Sequence, residues 1–239
     1  MENKQIYEFS KNKTDGDSSL YNLLGGKGAN LAEMSNMGIP VPPGFTITTE
    51  ICNYFTENKK LPDNLHNEIK EAVNKLESLS DKSFGGAGTP LLLSVRSGGR
   101  ISMPGMMDSI LNIGLNDGNV SQLAEAFNDE RFALDSYRRL IQMYSNVVLG
   151  VEHERFEAVL ANKKRMDDVD SDADFNVDQL NWIINAYKNT VERFTDAVFP
   201  QKPYEQLMGA IEAVFNSWQN KRAVIYRKIN NIPDSWGTG

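Results

Sequence analysis

The chain has 239 residues, of which 40% are hydrophobic, and a formal net charge of −7. This apolar fraction is enough for a folded core and too high for a disordered polymer. The acidic balance argues against nucleic acid as the main partner, because binding a phosphate backbone requires clustered Lys and Arg. No apolar run reaches the ~20 residues of a membrane-spanning helix, so we expect no membrane partner either.

The cellular compartment is indicated by the first residues and by the cysteine count. "MENKQIYEFS" lacks the basic segment and apolar run of a secretory leader. The single cysteine, Cys52, excludes an internal disulfide framework and suits a reducing compartment. We therefore expect a cytoplasmic protein, with Cys52 as a small buried thiol rather than a nucleophile.

Residues 1–118 mix short apolar runs with glycine and proline, as an α/β unit does. The continuous apolar run Leu91–Val95 is typical of a parallel strand buried on both faces. Gly38, the last residue of the first predicted helix, should terminate that helix. The other predicted elements are strands at Ile6–Phe9 and Phe45–Thr48, and helices at Gly25–Gly38, around Glu50–Phe55 and around Leu65–Leu79.

Residues 119–200 predict an inserted, antiparallel helical subdomain. Asn119 and Gln122 have the spacing of a capping box. Two apolar stripes follow the helical period and should pack against neighbouring helices. The stripes are Phe132, Tyr137, Leu140, Ile141, Tyr144, Val147 and Val148, and then Val177, Leu180, Ile184, Tyr187, Val191 and Phe194.

Residues 201–239 predict two further helices, over Tyr204–Trp218 and in "KRAVIYRKI", that return to the α/β unit. The chain closes on "NNIPDSWGTG", which is turn-like, so we expect a fragment cut within its domain. The predicted fold class is α/β (α+β), helix-rich overall.

The Asp-rich stretch Asp167–Gln179 has alternate aspartates in the register of a calcium loop. Ala173, however, stands where the loop needs glycine, and Gln179 where it needs a bidentate Glu. A solvated loop between helices is the better interpretation, with Asn176 or Asp178 near the next helix's start.

Neither histidine indicates a metal site or a catalytic centre. His66 and His153 each lie in an amphipathic helical stretch without a second His, a Cys or a spaced carboxylate. The chain also lacks G-x-S-x-G, H-E-x-x-H and C-x-x-C motifs. We predict exposed surface positions for both, and no catalytic residue or metal ligand in this chain.

"LLGGKGANLAEM" places Lys27 among glycines where a loop becomes a helix. Backbone N–H groups at such a junction can face an anion, and Lys27 adds positive charge. The spacing differs from a Walker A loop, which needs four residues between its first Gly and Gly-Lys-Ser/Thr. Alone, the motif is weak evidence, because many glycine-opened helices bind nothing.

"SVRSGGRISMPGMMDSI" carries Arg96 out of the end of a predicted strand, the usual place for ligands in an α/β sheet. A guanidinium there can hold phosphate oxygens in a bidentate manner, and Arg100 supplies a second cation. The Pro-Gly turn and the methionines could close over a substrate. A surface loop with methionines tucked into a core competes on spacing alone. Lys27 and Arg96 together favour a phosphate-ligand site.

Two long segments resemble the nucleotide-binding domain of the pyruvate, phosphate dikinase family: "GGKGANLAEMSNMGIPVPPGFTITTEICNYF" and "LLLSVRSGGRISMPGMMDSILNIGLND". "RRLIQMYSNVVLGVEHERFE" and "AVFNSWQNKRAVIYRKINNIP" are also similar, so the resemblance covers nearly the whole chain. Phosphoenolpyruvate synthases share the opening but typically carry a "VRSSATAEDL"-like sequence after the strand. Gly99 and Ile101 stand where the dikinases usually have alanine.

The resemblance implies the first part of an ATP-grasp-like domain. The family converts ATP, phosphate and pyruvate into AMP, diphosphate and phosphoenolpyruvate through a phosphohistidine on a separate domain. By motif match, the ATP-binding residues would be Lys27, Arg96, Ser97, Gly98, Arg100, Met103, Gly105 and Asp108. The resemblance places Mg²⁺ ligands in a later part of the domain, and implies a homodimer for the full-length enzyme.

The family's phosphohistidine motif and pyruvate-binding barrel are absent from these residues. The fragment alone is therefore expected to be inactive. Two alternatives remain open: the nucleotide domain of a phosphoenolpyruvate synthase or water dikinase, and a non-catalytic nucleotide-binding module. A phosphate requirement would separate the first from a dikinase, and loss of Lys27 and Arg96 would be expected in the second.

Overall fold

The computed structural model describes residues 4–239 and has a helix-rich α+β fold, which confirms the predicted class. It divides into two compact units. The terminal unit comprises the described residues up to 81, with 96–109 and 212–239, and the central unit comprises 82–95 and 110–211. The boundaries between these units differ from the predicted domain boundaries at residues 118 and 200. The predicted domain division stays a prediction.

Four strands and nine α-helices lie within residues 4–239. The predicted strand at Ile6–Phe9 is confirmed, and it pairs antiparallel with the second strand so that Ile6 lies opposite Ile47. The strands are β1 Ile6–Phe9, β2 Gly44–Ile47, β3 Leu93–Arg96 and β4 Ser109–Ile113. The helices are α1 Tyr21–Asn36, α2 Thr49–Asn58, α3 Leu65–Ser80, α4 Val120–Phe127, α5 Glu130–Val147, α6 His153–Asp167, α7 Val177–Thr195, α8 Pro203–Ser217 and α9 Lys221–Ile229.

The terminal unit has a core built from α1, α2 and α3 around the two-stranded sheet of β1 and β2. The rings of Phe55 and Phe215 lie 6.0 Å apart in it. Cys52 is fully buried, and this burial raises the pKa of its thiol to about 11. A thiol so protected from ionisation is a packing residue, as predicted, because nucleophilic attack requires the thiolate.

The central unit is organised by α5, which packs against α7 and α4. The predicted stripes are confirmed at their centres, where Tyr137 on α5 and Tyr187 on α7 are fully buried. The prediction is wrong at Phe132, which begins the first stripe, and at Phe194, which ends the second. Their side chains remain 42% and 47% exposed. Phe132 stacks on Phe127 at 5.3 Å, and Phe194 is covered by arginine guanidinium groups instead of helix.

The strand predicted at Leu91–Val95 is displaced and less buried than expected. β3 begins at Leu93 and includes Arg96, and its residues alternate between half-buried and exposed. It pairs with β4 in a two-stranded sheet, which has too few strands to be enclosed on both faces. The prediction of a doubly buried strand is therefore wrong, although Arg96 does stand at the strand's end.

The capping box predicted at Asn119 and Gln122 is also wrong. Asn119 does precede α4, but its side chain makes no capping hydrogen bond. Its Nδ2 donates to Gly114 O at 2.8 Å, and its Oδ1 accepts from Asn116 N at 2.9 Å. The buried amide thus satisfies the preceding loop and is unavailable to the helix.

The Asp-rich stretch forms the predicted link between helices. Asn176 caps α7: its Oδ1 accepts from Gln179 N at 2.9 Å, and Gln179 Oε1 accepts from Asn176 N at 2.8 Å. Both histidines are exposed, as predicted. None of the helices formed by residues 4–239 has the length and apolar character needed to span a bilayer.

Candidate functional site

The two glycine-rich segments meet in the terminal unit through their backbones. Gly25 kinks α1 with a φ of 67°, a conformation that favours glycine. A Cβ built on Gly25 would lie 1.6 Å from Gly98 O, and Gly26 N donates to Gly99 O at 3.0 Å. The glycines therefore allow a backbone contact between segments that are about 70 residues apart in sequence.

This contact brings Lys27 and Arg96 into one electrostatic environment. Lys27 Nζ donates to the backbone oxygen of Ser97 at 2.5 Å. The pKa of Lys27 is lowered, first because nearby protein removes part of its solvation and second because Arg96 places a positive charge close by. Lys27 and Arg96 are exposed at the surface, so this positive pair is accessible to a ligand.

The side chain of Arg96, at the end of β3, is not engaged by other side chains among the described residues. Among residues 4–239 its guanidinium makes no salt bridge and no side-chain hydrogen bond. The next residues, Ser97 and Gly98, are buried. A fixed backbone thus presents a cation with five free N–H donors, a suitable group for the oxygens of a phosphate.

The loop after Arg96 turns at Pro104 and Gly105. Gly105 has a φ of 72°, and Met106 N donates to Met103 O at 3.1 Å, which closes the predicted Pro-Gly turn. Met103 is only 7% exposed, as in the alternative interpretation of methionines tucked into a core. In this structure, therefore, the Met103 side chain does not face solvent above the cations.

Asp108 lies where the loop ends, and its carboxylate binds side chains from the carboxyl-terminal part of the chain. Arg222 forms an ion pair with it, and Asn220 Nδ2 donates to it at 2.9 Å. The backbone N–H of Asp108 donates to Ser217 Oγ at 3.2 Å. These contacts give Asp108 an anchoring position in the loop.

The remaining predicted site residue, Arg100, is half-buried, and its guanidinium lies 5.2 Å from the ring of Trp236. Trp236, Thr238, Asn220 and Arg222 were not predicted as residues of this site. Asn220 and Arg222 lie at the start of a predicted helix, and Trp236 and Thr238 lie in turn-like sequence. Neither pattern indicates the long-range contacts that these residues make.

The chain is closely similar to known proteins along nearly its whole length. A family model described as "Pyruvate phosphate dikinase, AMP/ATP-binding domain" matches residues 21–85 and 57–238. The chain belongs to this family. In the dikinase family, relatives named pyruvate, phosphate dikinase include those of Rickettsia conorii, 49% identical over 98% of this chain, and Rickettsia prowazekii, 50% identical over 99%. A third, from Clostridium symbiosum, is 48% identical over 98%.

This member of the dikinase family spans about a quarter of the length of those relatives: the matched segment is 27% of each. The family description concerns AMP and ATP binding, in agreement with the nucleotide ligand that the family resemblance implied. Within residues 4–239 no group of three or more His, Cys, Asp or Glu side chains is placed to hold a metal ion.

The proximity of the two cations can be tested by substituting one and titrating the other. We expect Arg96→Gln to raise the pKa of Lys27 toward its ordinary value, because the substitution removes a positive charge that disfavours protonation. The measurement is the NMR titration of the Lys27 Cε signal. Arg100→Gln is the control and should leave this pKa unchanged. An unaltered Lys27 pKa in Arg96→Gln would contradict the geometry.

Proposed function

We propose that this chain forms the ATP-binding part of a pyruvate, phosphate dikinase, which converts ATP, phosphate and pyruvate into AMP, diphosphate and phosphoenolpyruvate. Membership of the family supports ATP as the ligand. The relatives' name supports the overall reaction. The observation that carries the proposal is the placement of Lys27 and Arg96 on adjoining glycine-rich segments, close enough for the charge of Arg96 to lower the pKa of Lys27.

The proposed chemistry of this site is positioning and charge neutralisation. Transfer of a phosphoryl group needs little covalent help from side chains, and much stabilisation of the charge on its oxygens. Arg96 would hold two oxygens of the polyphosphate, and Lys27 would contribute a point charge. Polyphosphate binding would also raise the pKa of Lys27 and hold it protonated, because the anion outweighs the repulsion from Arg96.

The remaining predicted roles belong to the same proposal. Ser97, Gly98 and Gly105 would shape the loop around the phosphates, Arg100 would add a second loop cation, and Met103 and Asp108 would hold the loop's form. Magnesium ligands are proposed, by family likeness, for a later part of the domain. The carboxylate of Asp108 is engaged by Arg222 and Asn220. The phosphohistidine domain, a homodimer and a cytoplasmic location are proposed by family likeness.

ATP affinity tests the proposal. A chimera is made in which this chain replaces the matching segment of the Clostridium symbiosum relative, and calorimetry compares the chimera with the chain alone. We expect the chimera to bind ATP with magnesium, and the chain alone to bind at least about 100-fold more weakly, a difference of about 2.7 kcal/mol. Absence of ATP binding by the chimera would contradict the proposed function. Equal affinities would show that this chain holds the complete nucleotide pocket.

A further inference from the structure

The last residues of the chain contact the glycine-rich loop directly. Gly98 N donates both to Thr238 Oγ1 at 3.0 Å and to Gly239 O at 2.9 Å. Gly239 N donates back to Gly98 O at 3.2 Å, and Thr238 is fully buried. The loop between Arg96 and Arg100 is therefore held by a segment 140 residues further along the chain.

This segment, Asp234–Gly239, is itself anchored by hydrogen bonds from side chains of the terminal unit. Arg227, 1% exposed, donates from Nε to the Asp234 carboxylate at 2.8 Å and stacks on Trp218 at 4.0 Å. Trp218 Nε1 donates to the backbone oxygen of Asp234 at 3.0 Å. Asn53 Nδ2 donates to Ser235 O at 2.8 Å. The contact with Gly98 thus joins the loop to the interior of the terminal unit.

Trp236 lies in the middle of this segment and stacks against the second cation of the loop. The Arg100 guanidinium carbon is 5.2 Å from the Trp236 ring centre, within the range of a cation–π contact. Arg100 Nε is buried and has no hydrogen-bond partner among the described residues. Stacking therefore fixes the plane of the guanidinium and leaves an N–H donor without an acceptor.

We propose that Trp236 and Thr238 are positioning residues of the nucleotide site: Trp236 orients the Arg100 guanidinium, and Thr238 fixes Gly98 and with it the backbone that carries Arg96. The inference rests on the proposed function for the identity of the ligand, a nucleotide polyphosphate. Holding cations in place before the ligand arrives increases affinity, because less side-chain and loop freedom is lost on binding.

The first test is hydrogen exchange of residues 96–107 in the 239-residue chain without ligand. We expect Trp236→Leu and Thr238→Val each to accelerate exchange in this segment about fivefold, because each removes one contact that holds the loop. Trp182→Leu is the matched control. Trp182 lies on α7, and Lys163 Nζ is 4.8 Å from its ring centre. Its replacement should leave hydrogen exchange in residues 96–107 unchanged.

Conservative variants separate positioning from a general loss of stability. Trp236→Phe keeps an aromatic face and Thr238→Ser keeps a hydroxyl, and both should restore slow exchange. Unchanged exchange in Trp236→Leu and Thr238→Val would overturn the proposal. Equal acceleration by Phe and Leu at residue 236 would overturn the stacking role.

The second test is ATP affinity in the chimera. Trp236→Leu should weaken binding about fivefold, Trp236→Phe should restore it, and Trp182→Leu should have no effect. Full ATP affinity in Trp236→Leu would overturn the positioning role of Trp236. If the unsubstituted chimera binds no ATP, the proposed function fails, and the exchange measurements alone then decide whether the two residues hold the loop.

Discussion

Arg96→Ala in the chimera with the Clostridium symbiosum relative is expected to lower the rate of the ATP- and phosphate-dependent partial reaction by about 100-fold or more. The pyruvate-dependent partial reaction should keep its rate. Arg96 stands at the end of β3 beside Lys27, and its guanidinium has no partner within residues 4–239; the proposed function places the nucleotide's phosphates there. Truncation removes up to two charge-assisted hydrogen bonds to those phosphates and leaves a separate pyruvate site untouched.

The measurement is isotope exchange for each half of the reaction, made on the same enzyme preparation. Arg139→Ala is a matched control, because Arg139 is an exposed arginine of the central unit, paired with Asp135 at 2.9 Å. It should leave both partial reactions unchanged. Equal losses of the two partial reactions in Arg96→Ala would contradict the assignment of Arg96 to the nucleotide.

Gly25→Ala is expected to destabilise the chain by about 3 kcal/mol or more. Two costs combine: at φ 67° and ψ 171°, a backbone region adopted almost only by glycine, an alanine is strained by about 1–3 kcal/mol, and its Cβ would lie 1.6 Å from Gly98 O. The overlap can be relieved only by moving backbone, which typically costs about 1–3 kcal/mol more. Because the contact moved is the one that joins the two glycine-rich segments, the pKa of Lys27 should rise as Arg96 separates from it.

Urea unfolding of the 239-residue chain measures this effect. Gly38→Ala provides the comparison, because Gly38 has a similar φ of 77° but nothing lies within 4 Å of its Cβ position. It should cost only the backbone strain, about 1–2 kcal/mol. If both substitutions destabilise the chain equally, the close approach of Gly25 and Gly98 does not exist in solution.

Local chemistry was sufficient to predict much of this fold. β1 combines Ile6, Tyr7 and Phe9, residue types favoured in strands, between polar neighbours, and α7 is capped by Asn176 and carries an apolar stripe, so neighbouring residues determine both elements. The site's two cations were also predictable, because glycines next to Lys27 and Arg96 suggest a close backbone approach. Their mutual proximity was a hypothesis that the lowered pKa of Lys27 supports.

The failures have a common physical cause, which is competition from partners that are distant or unexpected. Asn119 has a capping residue's chemistry, but its amide is consumed by Gly114 and Asn116. The contact of Thr238 with Gly98 joins residues 140 positions apart, and no periodicity encodes such a pairing. Sequence patterns predicted which segments form the proposed nucleotide site, and the tertiary structure was needed to find the residues that contact them.

A crystal structure of the chimera with a non-hydrolysable ATP analogue would locate the polyphosphate relative to the two cations. We expect Lys27 Nζ and the Arg96 guanidinium both to lie within about 2.7–3.2 Å of oxygens of the same polyphosphate. A polyphosphate bound elsewhere, or one that contacts neither cation, would contradict this placement.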